Sequence, residues 1–345
     1  FFYGTSPSAL IRQTGLNSLG DESASFQALL SSLEPGTTYY FRAYVTVWDA
    51  ASGAYADILG EVLSFATDED QEVSFGSTLP YLGCYEMPAL SLANPDACTS
   101  SGQEAFGDTR WYCYNTTSAQ QRIVTHTYSY GGAQLRNWTA LVDKDKKAPL
   151  WNAFVMHNGA YPRNNTGRSG SWTEDPALPS SWQQSSAGSG YSRGHFVASN
   201  YRQACSDANK QTFYYTNQAL QWQDGFNSGI WSSLESAVVS HAPTGRDTLY
   251  VVVGVLYEDN KTVGGVPVPS HFYKCLMQCS FNASGTMTDA KGVAYLFENR
   301  SYSGNAYGSY ATSIDAVEER SGWDFFANVP KGLQDAAERR TTGIW

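Results

Sequence analysis

Asn-Ser-Gly-Ile-Trp-Ser-Ser-Leu-Glu, residues 227–235, decides the fold together with the Arg-Gly-His of residues 193–195. Apolar side chains recur here at helical spacing and predict an amphipathic helix from Gly225: Phe226, Ile230, Trp231, Leu234 and Val238. The imidazole of His195 can take a proton at neutral pH, because histidine titrates at about pH 6.5. The amide of Asn227 offers a hard oxygen of the kind that binds Mg²⁺. The two stretches together predict a site for proton transfer beside a bound cation.

Outward from these stretches, alternating apolar and polar residues predict an antiparallel sheet. Strands are predicted at 122–130, 137–143, 149–156, 212–217, 249–257, from 268 onward, and at 294–297. A helix is predicted at 313–320 with Ser313 as its N-cap. The polar stretch 161–190 is a long loop, and such loops are uncommon unless they are functional. Residues 80–345 are therefore predicted to form one α+β domain on a central antiparallel sheet.

Residues 1–68 are predicted to form a separate β-sandwich-like module, followed by a linker at 69–79. The corner LEPGTTY at 33–39 resembles the L-x-P-G-T-x-Y corner of fibronectin type III domains, whose tyrosine hydroxyl bonds to nearby backbone. Flanking strands are predicted at 25–33 and 61–67, and the first two strands of that fold have no counterpart. Any other antiparallel β module is the alternative. Both interpretations imply a spacer or adhesion unit without chemistry.

Composition favours a globular, exported protein, since 42% of the residues are hydrophobic and 16% are charged. The longest apolar run, 249–257, has nine residues, whereas a membrane-spanning helix needs roughly 20. The net charge is −10, but residues 71–345 hold 20 basic and 23 acidic residues. A local basic groove for nucleic acid is compatible with that balance.

Six cysteines predict one to three disulfides in a secreted, periplasmic or cell-surface protein of bacterial type. Their spacing matches no zinc site and leaves the pairing open. The six are Cys84, Cys98, Cys113, Cys205, Cys275 and Cys279.

Several ordered motifs resemble the DNA/RNA non-specific endonucleases, also called ββα-metal or His-Me finger nucleases. The family motif D-R-G-H corresponds to SRGH at 192–195, and S/T-N-x-x-P-Q corresponds to TNQALQ at 216–221. The motif N-x-G-x-W-x-x-L-E corresponds to residues 227–235. VPSHFYK at 268–274 and SGWDFFANVP at 321–330 are similar to two further family blocks. Motifs in a fixed order are far more specific than one tripeptide.

The resemblance implies hydrolysis of phosphodiester bonds in DNA and RNA to 5′-phosphate ends, with Mg²⁺ as cofactor and Mn²⁺ or Ca²⁺ as alternatives. His195 would be the general base and Asn227 the metal ligand. Glu235 follows Asn227 by eight residues, roughly 12 Å along an ideal helix. It is therefore assigned to holding a metal-bound water.

Arg193 and Arg168 are assigned to clamping phosphate, because a guanidinium matches phosphate in a forked geometry. Arg163 is the less favoured substitute for Arg168. Asn217 is assigned to the catalytic site, with a turn role at a strand end as an equal alternative. The other histidines, His126, His157, His241 and His271, are interpreted as structural, as are Tyr273, Lys274 and Trp231.

The sequence departs from the family motifs at three positions, two of which bear on the rate. Ser192 replaces the acid of D-R-G-H, so the histidine would be oriented more weakly. Val239 stands where some family members carry an arginine, a loss for which Arg246 is the candidate substitute. Leu220 replaces a proline without an expected effect.

Two other functions stay open from the sequence. A weakened nuclease fold would serve as a nucleic-acid-binding or cell-surface adhesion protein. A metal-dependent phosphodiesterase of small molecules is the weaker alternative. The oligomeric state and the preference for DNA or RNA are open as well.

Overall fold

The structure is a computed structural model that describes residues 1–14, 37–66, 83–89, 103–106, 109–112, 120–163 and 165–345. The chain divides into two compact units, Phe1–Glu72 and Val73–Trp345. The predicted linker at 69–79 lies outside the described residues. So do the predicted strand at 25–33 and most of the fibronectin-like corner, and both stay predictions.

The N-terminal unit consists of short antiparallel strands. They are β1 (Phe2–Gly4), β2 (Arg12–Gln13), β3 (Thr38–Arg42), β4 (Tyr44–Asp49), β5 (Ala54–Leu59) and β6 (Leu63–Ala66). One sheet has the order β2-β1-β3-β6, and β4 pairs with β5. Tyr39 is buried and stacks on Phe65. The alternation predicted at 39–45 therefore spans two strands that belong to different sheets.

The large unit is organised around a seven-stranded antiparallel sheet. The strands of the large unit, in this sheet and outside it, are β7 (Gln103–Phe106), β8 (Thr109–Tyr112), β9 (Gln121–Tyr130), β10 (Ala133–Asp143), β11 (Ala148–Met156), β12 (Tyr191–His195), β13 (Gln218–Trp222), β14 (Asp247–Leu256), β15 (Thr262–Val263), β16 (Val266–Pro267), β17 (His271–Phe281), β18 (Met287–Glu298) and β19 (Ala311–Thr312). The sheet order is β19-β18-β17-β14-β11-β10-β9, and β7–β8, β12–β13 and β15–β16 are separate pairs. The helices are α1 (Ser206–Gln211), α2 (Ser232–Ser240), α3 (Ile314–Ser321) and α4 (Lys331–Glu338).

Both faces of the central sheet are buried, because successive side chains of a strand point to opposite faces. On β14, Tyr250 and Val252 belong to one hydrophobic cluster, whereas Val251 and Val253 belong to the other. The first cluster includes residues of α3 and α4, and the second includes residues of β13 and α2. The sheet therefore separates a layer containing α3 and α4 from a layer containing β13 and α2.

The strand predictions along the central sheet are confirmed to within a few residues, except that the strand predicted at 294–297 extends over Met287–Glu298. The helix capped by Ser313 is confirmed as well, and the Ser313 side chain accepts from the Ala316 N–H. The strand predicted at 212–217 is wrong. Residues 215–217 form a 3₁₀ turn after α1, and the strand follows as β13. The helix predicted from Gly225 is regular only from Ser232 onward.

The cysteines form fewer disulfides than the upper end of the prediction. Cys205, Cys275 and Cys279 are free thiols, so three disulfides do not form. Cys98 and Cys113 lie outside the described residues. In the described part of the chain no helix has the length and apolar character needed to cross a bilayer.

Candidate active site

One cavity of about 440 Å³ brings most of the predicted site residues together. It is lined by Arg168, Trp172, Ala187, Tyr191, Ser192, Arg193, His195, Asn227, Ser232 and Glu235. These residues come from the long loop 161–190, from β12, from the segment that leads into α2 and from the first turn of α2 itself. Five of the six predicted site residues line the cavity, and Asn217 does not.

The pairing of β12 with β13 fixes the position of His195. The register is antiparallel and places Gly194 opposite Ala219 and His195 opposite Gln218. A Cβ atom on Gly194 would lie 2.5 Å from the side chain of Gln221. Only glycine therefore lets the two strands keep this spacing beside the histidine.

The His195 ring is packed between aromatic side chains. Its centroid lies 4.6 Å from that of Trp172 and 5.1 Å from that of Phe213. The ring as a whole is half-buried, but Nε2 is fully buried without a hydrogen-bond partner in the described structure. Burial lowers the pKa of His195 to about 3, and the positive charge of Arg168 contributes. The imidazole is therefore neutral at pH 7.

The two arginines of the cavity rest on the same aromatic pair. The guanidinium of Arg168 lies 4.8 Å from the ring centroid of Phe213, and that of Arg193 lies 5.9 Å from the Trp172 centroid. Arg193 also donates twice to the Ser185 carbonyl, at 3.0 and 2.5 Å. Within the described residues Arg168 forms no ion pair with a carboxylate. Its charge is therefore available to an anionic ligand.

Arg163 is held away from the cavity. Its guanidinium donates to the Val239 carbonyl at 3.1 Å, next to the end of α2. Of the two candidate arginines, Arg168 lines the cavity and Arg163 does not, and the assignment of Arg168 to clamping phosphate stays a prediction. Arg246, the substitute considered for the missing arginine at 239, is exposed and does not line the cavity.

Asn227 lies in an irregular helical segment, Gln223–Trp231, that precedes α2. Gly225 has φ of 71° and Gly229 has φ of −122° and ψ of −107°, so the helix is broken on both sides of Asn227. The Asn227 Nδ2 donates to the Gln223 Oε1 at 3.1 Å. This bond orients the amide, and Oδ1 has no hydrogen-bond partner in the part of the chain that the structure describes. The ideal-helix distance of roughly 12 Å to Glu235 therefore does not apply.

Glu235 lines the cavity from the first turn of α2. Its Oε1 accepts from Trp231 Nε1 at 3.1 Å. Lys274 is fully buried nearby. Its Nζ lies 4.5 Å from the Trp231 ring centroid and 3.2 Å from the Tyr201 hydroxyl. Burial raises the pKa of Glu235, while the charge of Lys274 and the bond from Trp231 oppose that rise.

Comparison with known proteins identifies the family. Residues 119–332 match the family model of DNA/RNA non-specific endonucleases. The chain belongs to this endonuclease family. It is therefore an enzyme of the nuclease class, and the family is metal-dependent in general.

Several similar proteins are named nucleases. A nuclease of Nostoc sp. is 29% identical over 215 residues, covering 60% of this chain and 77% of that protein. Nuclease 1, a mitochondrial protein of Schizosaccharomyces pombe, is 26% identical over 215 residues, covering 56% of this chain and 66% of that protein. The crystal structure of the EndoG/EndoGI complex contains a chain of similar fold, with a TM-score of 0.50 and 21% identity. That match covers 61% of this chain and 89% of that chain.

Asn217 is the one predicted site residue of this endonuclease that does not line the cavity. It is fully buried, and its Oδ1 accepts from Asn152 Nδ2 at 2.8 Å and from the Val197 N–H at 2.9 Å. Its Nδ2 donates to the carbonyls of Val197 and Thr212. Both amide atoms of Asn217 are engaged by Asn152 and by backbone groups, and the side chain does not line the cavity. Its catalytic assignment stays a prediction.

Sequence reasoning on this endonuclease missed the aromatic pair around His195. Trp172 opens the stretch WTEDP at 172–176. Asp175 of this stretch is buried, accepts from Thr216 and pairs with His126 at 2.8 Å. These contacts tie the long loop to the residues before β13. The WTEDP block was the available signal for Trp172, whereas Phe213 has no motif that marks it.

Proposed function

We propose that this endonuclease hydrolyses phosphodiester bonds of DNA and RNA to 5′-phosphate ends, with a single Mg²⁺ bound at Asn227. The observation that carries the proposal is the shared cavity of His195, Arg168, Arg193, Asn227 and Glu235. A base, two cations and two oxygen ligands around one space match what hydrolysis of a phosphodiester requires.

The side chains of Asn227 and Glu235 fit a magnesium ion. The amide oxygen Oδ1 of Asn227 is left without a hydrogen bond once Nδ2 is bound to Gln223. Magnesium favours oxygen ligands and keeps several of its waters, one of which the Glu235 carboxylate would hold. When bound, the ion supplies positive charge at the phosphate and an acidic water for the leaving oxygen.

His195 supplies the base. Because Nε2 is buried and unpartnered, we assign the role of base to Nδ1, the other ring nitrogen. Nδ1 takes a proton from a water molecule as the water oxygen attacks phosphorus and the bond from phosphorus to the 3′ oxygen breaks. A bound phosphate anion raises the pKa of the imidazole and so makes it a stronger base than in the empty cavity.

Arg168 and Arg193 hold the phosphate and balance the charge that builds on its oxygens. Arg168 needs no rearrangement, whereas Arg193 gives up bonds to the Ser185 carbonyl to reach a phosphate. An arginine donates in a fork that matches two phosphate oxygens. Of the departures that bear on the rate, Ser192 lines the cavity and Val239 does not; both lower the expected rate rather than remove the reaction.

Plasmid nicking tests the proposal, with wild-type protein in Mg²⁺, wild-type protein in EDTA and His195→Ala in Mg²⁺. Cleavage is expected only in the first, with an activity loss of at least roughly 100-fold for the variant. His241→Ala is the matched control, since His241 stacks on Trp345 outside the cavity. Gel retardation without cleavage in all three samples would instead support the nucleic-acid-binding alternative. Export and the fibronectin-like module stay predictions from sequence.

A further inference from the structure

We propose that Gln218 orients the His195 ring by accepting a hydrogen bond from Nε2–H, which leaves Nδ1 as the base. The role rests on the proposed function of His195. Gln218 does not reach the cavity and would act through the histidine as a positioning residue.

The strand register brings the two side chains together. His195 on β12 lies directly opposite Gln218 on β13 in an antiparallel pair. Directly opposite residues present their side chains on the same face of the pair, with Cβ atoms about 4.5–5.5 Å apart. A glutamine amide spans that separation to an imidazole nitrogen.

The unsatisfied atoms of this pair are complementary. His195 Nε2 and Gln218 Oε1 are both buried without a hydrogen-bond partner, and Gln218 is fully buried. The Gln218 Nε2 donates to the Gln184 carbonyl at 2.8 Å. A carbonyl only accepts, so the amide nitrogen must face Gln184 and the amide oxygen is the atom left over. An imidazole N–H is the partner this oxygen lacks.

The proposed bond orients His195 in place of the acid that is missing at residue 192. Ser192 stands where the family motif has an acid, and its hydroxyl donates to the Gln221 carbonyl at 3.4 Å. A neutral imidazole carries its proton on one nitrogen only, and the hydrogen bond at that nitrogen sets the tautomer. With Nε2–H directed to Gln218, the lone pair is on Nδ1.

Two substitutions at one position separate this role from a packing role. Gln218→Met keeps the volume but removes both the acceptor and the donor to Gln184. Gln218→Glu keeps an acceptor oxygen, loses the donor to Gln184 and adds a negative charge. We expect Gln218→Met to lower kcat roughly 10- to 100-fold with KM changed less than about twofold. We expect Gln218→Glu to retain kcat within about threefold. Equal losses in both variants, or no loss in either, would overturn the proposal.

A spectroscopic measurement on the metal-free protein needs no activity. The imidazole ¹⁵N shifts of His195 are expected to report the Nε2–H tautomer in wild type and a mixture of tautomers in Gln218→Met. The same tautomer in both proteins would contradict the role. Gln334→Met is the control for losing a buried glutamine, because Gln334 bonds to Phe325 and Glu338 outside the cavity. Its kcat should be unchanged.

The two proposals fail in different ways. Full activity of His195→Ala would remove the proposed function itself. An inactive His195→Ala with wild-type kcat in Gln218→Met would remove the orienting role alone.

Discussion

Arg168 and Arg163 lie in the same loop, yet their guanidinium groups contact different parts of the protein. Arg168 rests on Phe213 beside His195, and its charge acts on both His195 and Glu235. Arg163 is bound to the carbonyl of Val239. The two residues therefore form a matched pair for testing which cation holds the phosphate.

Arg168→Ala is expected to lower kcat/KM roughly 100-fold, because it removes a preorganised positive charge from the transition state. Arg163→Ala is expected to leave kcat/KM within about twofold of wild type and to cost stability only through the lost bond to Val239. Steady-state cleavage of a fluorescent duplex measures both variants. A larger loss in Arg163→Ala than in Arg168→Ala would contradict the assignment.

Motif spacing could predict the site residues that occupy fixed positions along the sequence. His195, Arg193, Asn227 and Glu235 occupy fixed positions in ordered motifs, and the structure places them in one cavity. Asn217 also occupies a motif position, but its bonds hold backbone. A motif therefore marks a residue that the fold requires without showing whether it faces the cavity or the interior.

The packing around His195 could not be read from sequence. Phe213 and Gln218 approach the ring only because β12 and β13 pair across a connection of more than twenty residues. Contacts of this kind depend on strand register, which a linear motif does not contain.

The segment that carries Asn227 is the element on which the site depends. Gly225 adopts φ of +71°, and a Cβ atom there would lie 2.0 Å from the Tyr302 carbonyl oxygen. Helical spacing predicted a continuous helix here, because the apolar side chains keep their period. The helix is broken at Gly225 and at Gly229. The spacing of the apolar side chains does not show where a glycine leaves the helical conformation.

Gly225→Ala is expected to destabilise the protein by roughly 2–4 kcal/mol, since positive φ and a collision with backbone act together. Gly245→Ala is the matched control, because Gly245 has φ of +68° and nothing within 4 Å of the added carbon. It should cost about 1 kcal/mol. Urea unfolding measures both, and nicking assays should show lost activity for Gly225→Ala alone. Equal destabilisation would argue against the close packing at Tyr302.

The wrong strand at 212–217 has a similar origin. The residues TFYYT favour strands by their β-branched and aromatic character. In the fold they follow α1 and turn the chain into β13, so tertiary position overrides propensity. The strands of the central sheet were predictable, because alternation and long apolar runs persist where both faces are buried.

At the scale of the whole molecule, α3 and α4 cover one face of the sheet and bury two carboxyl groups. Glu318 and Glu338 are 6% and 4% exposed and, with Asp315, form one acidic cluster. Burial raises the pKa of both carboxyl groups, to about 8 for Glu318 and to about 10 for Glu338. The charges of Asp324 and Asp315 add to the rise at Glu318, and those of Glu318 and Asp324 add to the rise at Glu338. A carboxyl whose pKa is higher in the folded state binds its proton more tightly when folded.

Stability from this cluster is therefore fully present below the unfolded pKa of 4.5 and is lost as pH rises above it. Glu338→Gln is expected to stabilise the protein at pH 9 by roughly 1–3 kcal/mol and to have little effect at pH 4. Thermal unfolding across that range measures the difference. Glu319→Gln is the control, since Glu319 is exposed on α3. A pH-independent effect of Glu338→Gln would contradict the raised pKa.

The measurement that tests the central claim most directly is a crystal structure of His195→Ala with Mg²⁺ and a short DNA duplex. We expect one ion on Asn227 Oδ1 at roughly 2.0–2.1 Å, with a backbone phosphate between that ion and the place of the missing imidazole. The Arg168 guanidinium should contact the same phosphate. An ion held instead by cysteines or by the Asp315, Glu318 and Glu338 cluster, or a duplex bound away from the cavity, would contradict the account.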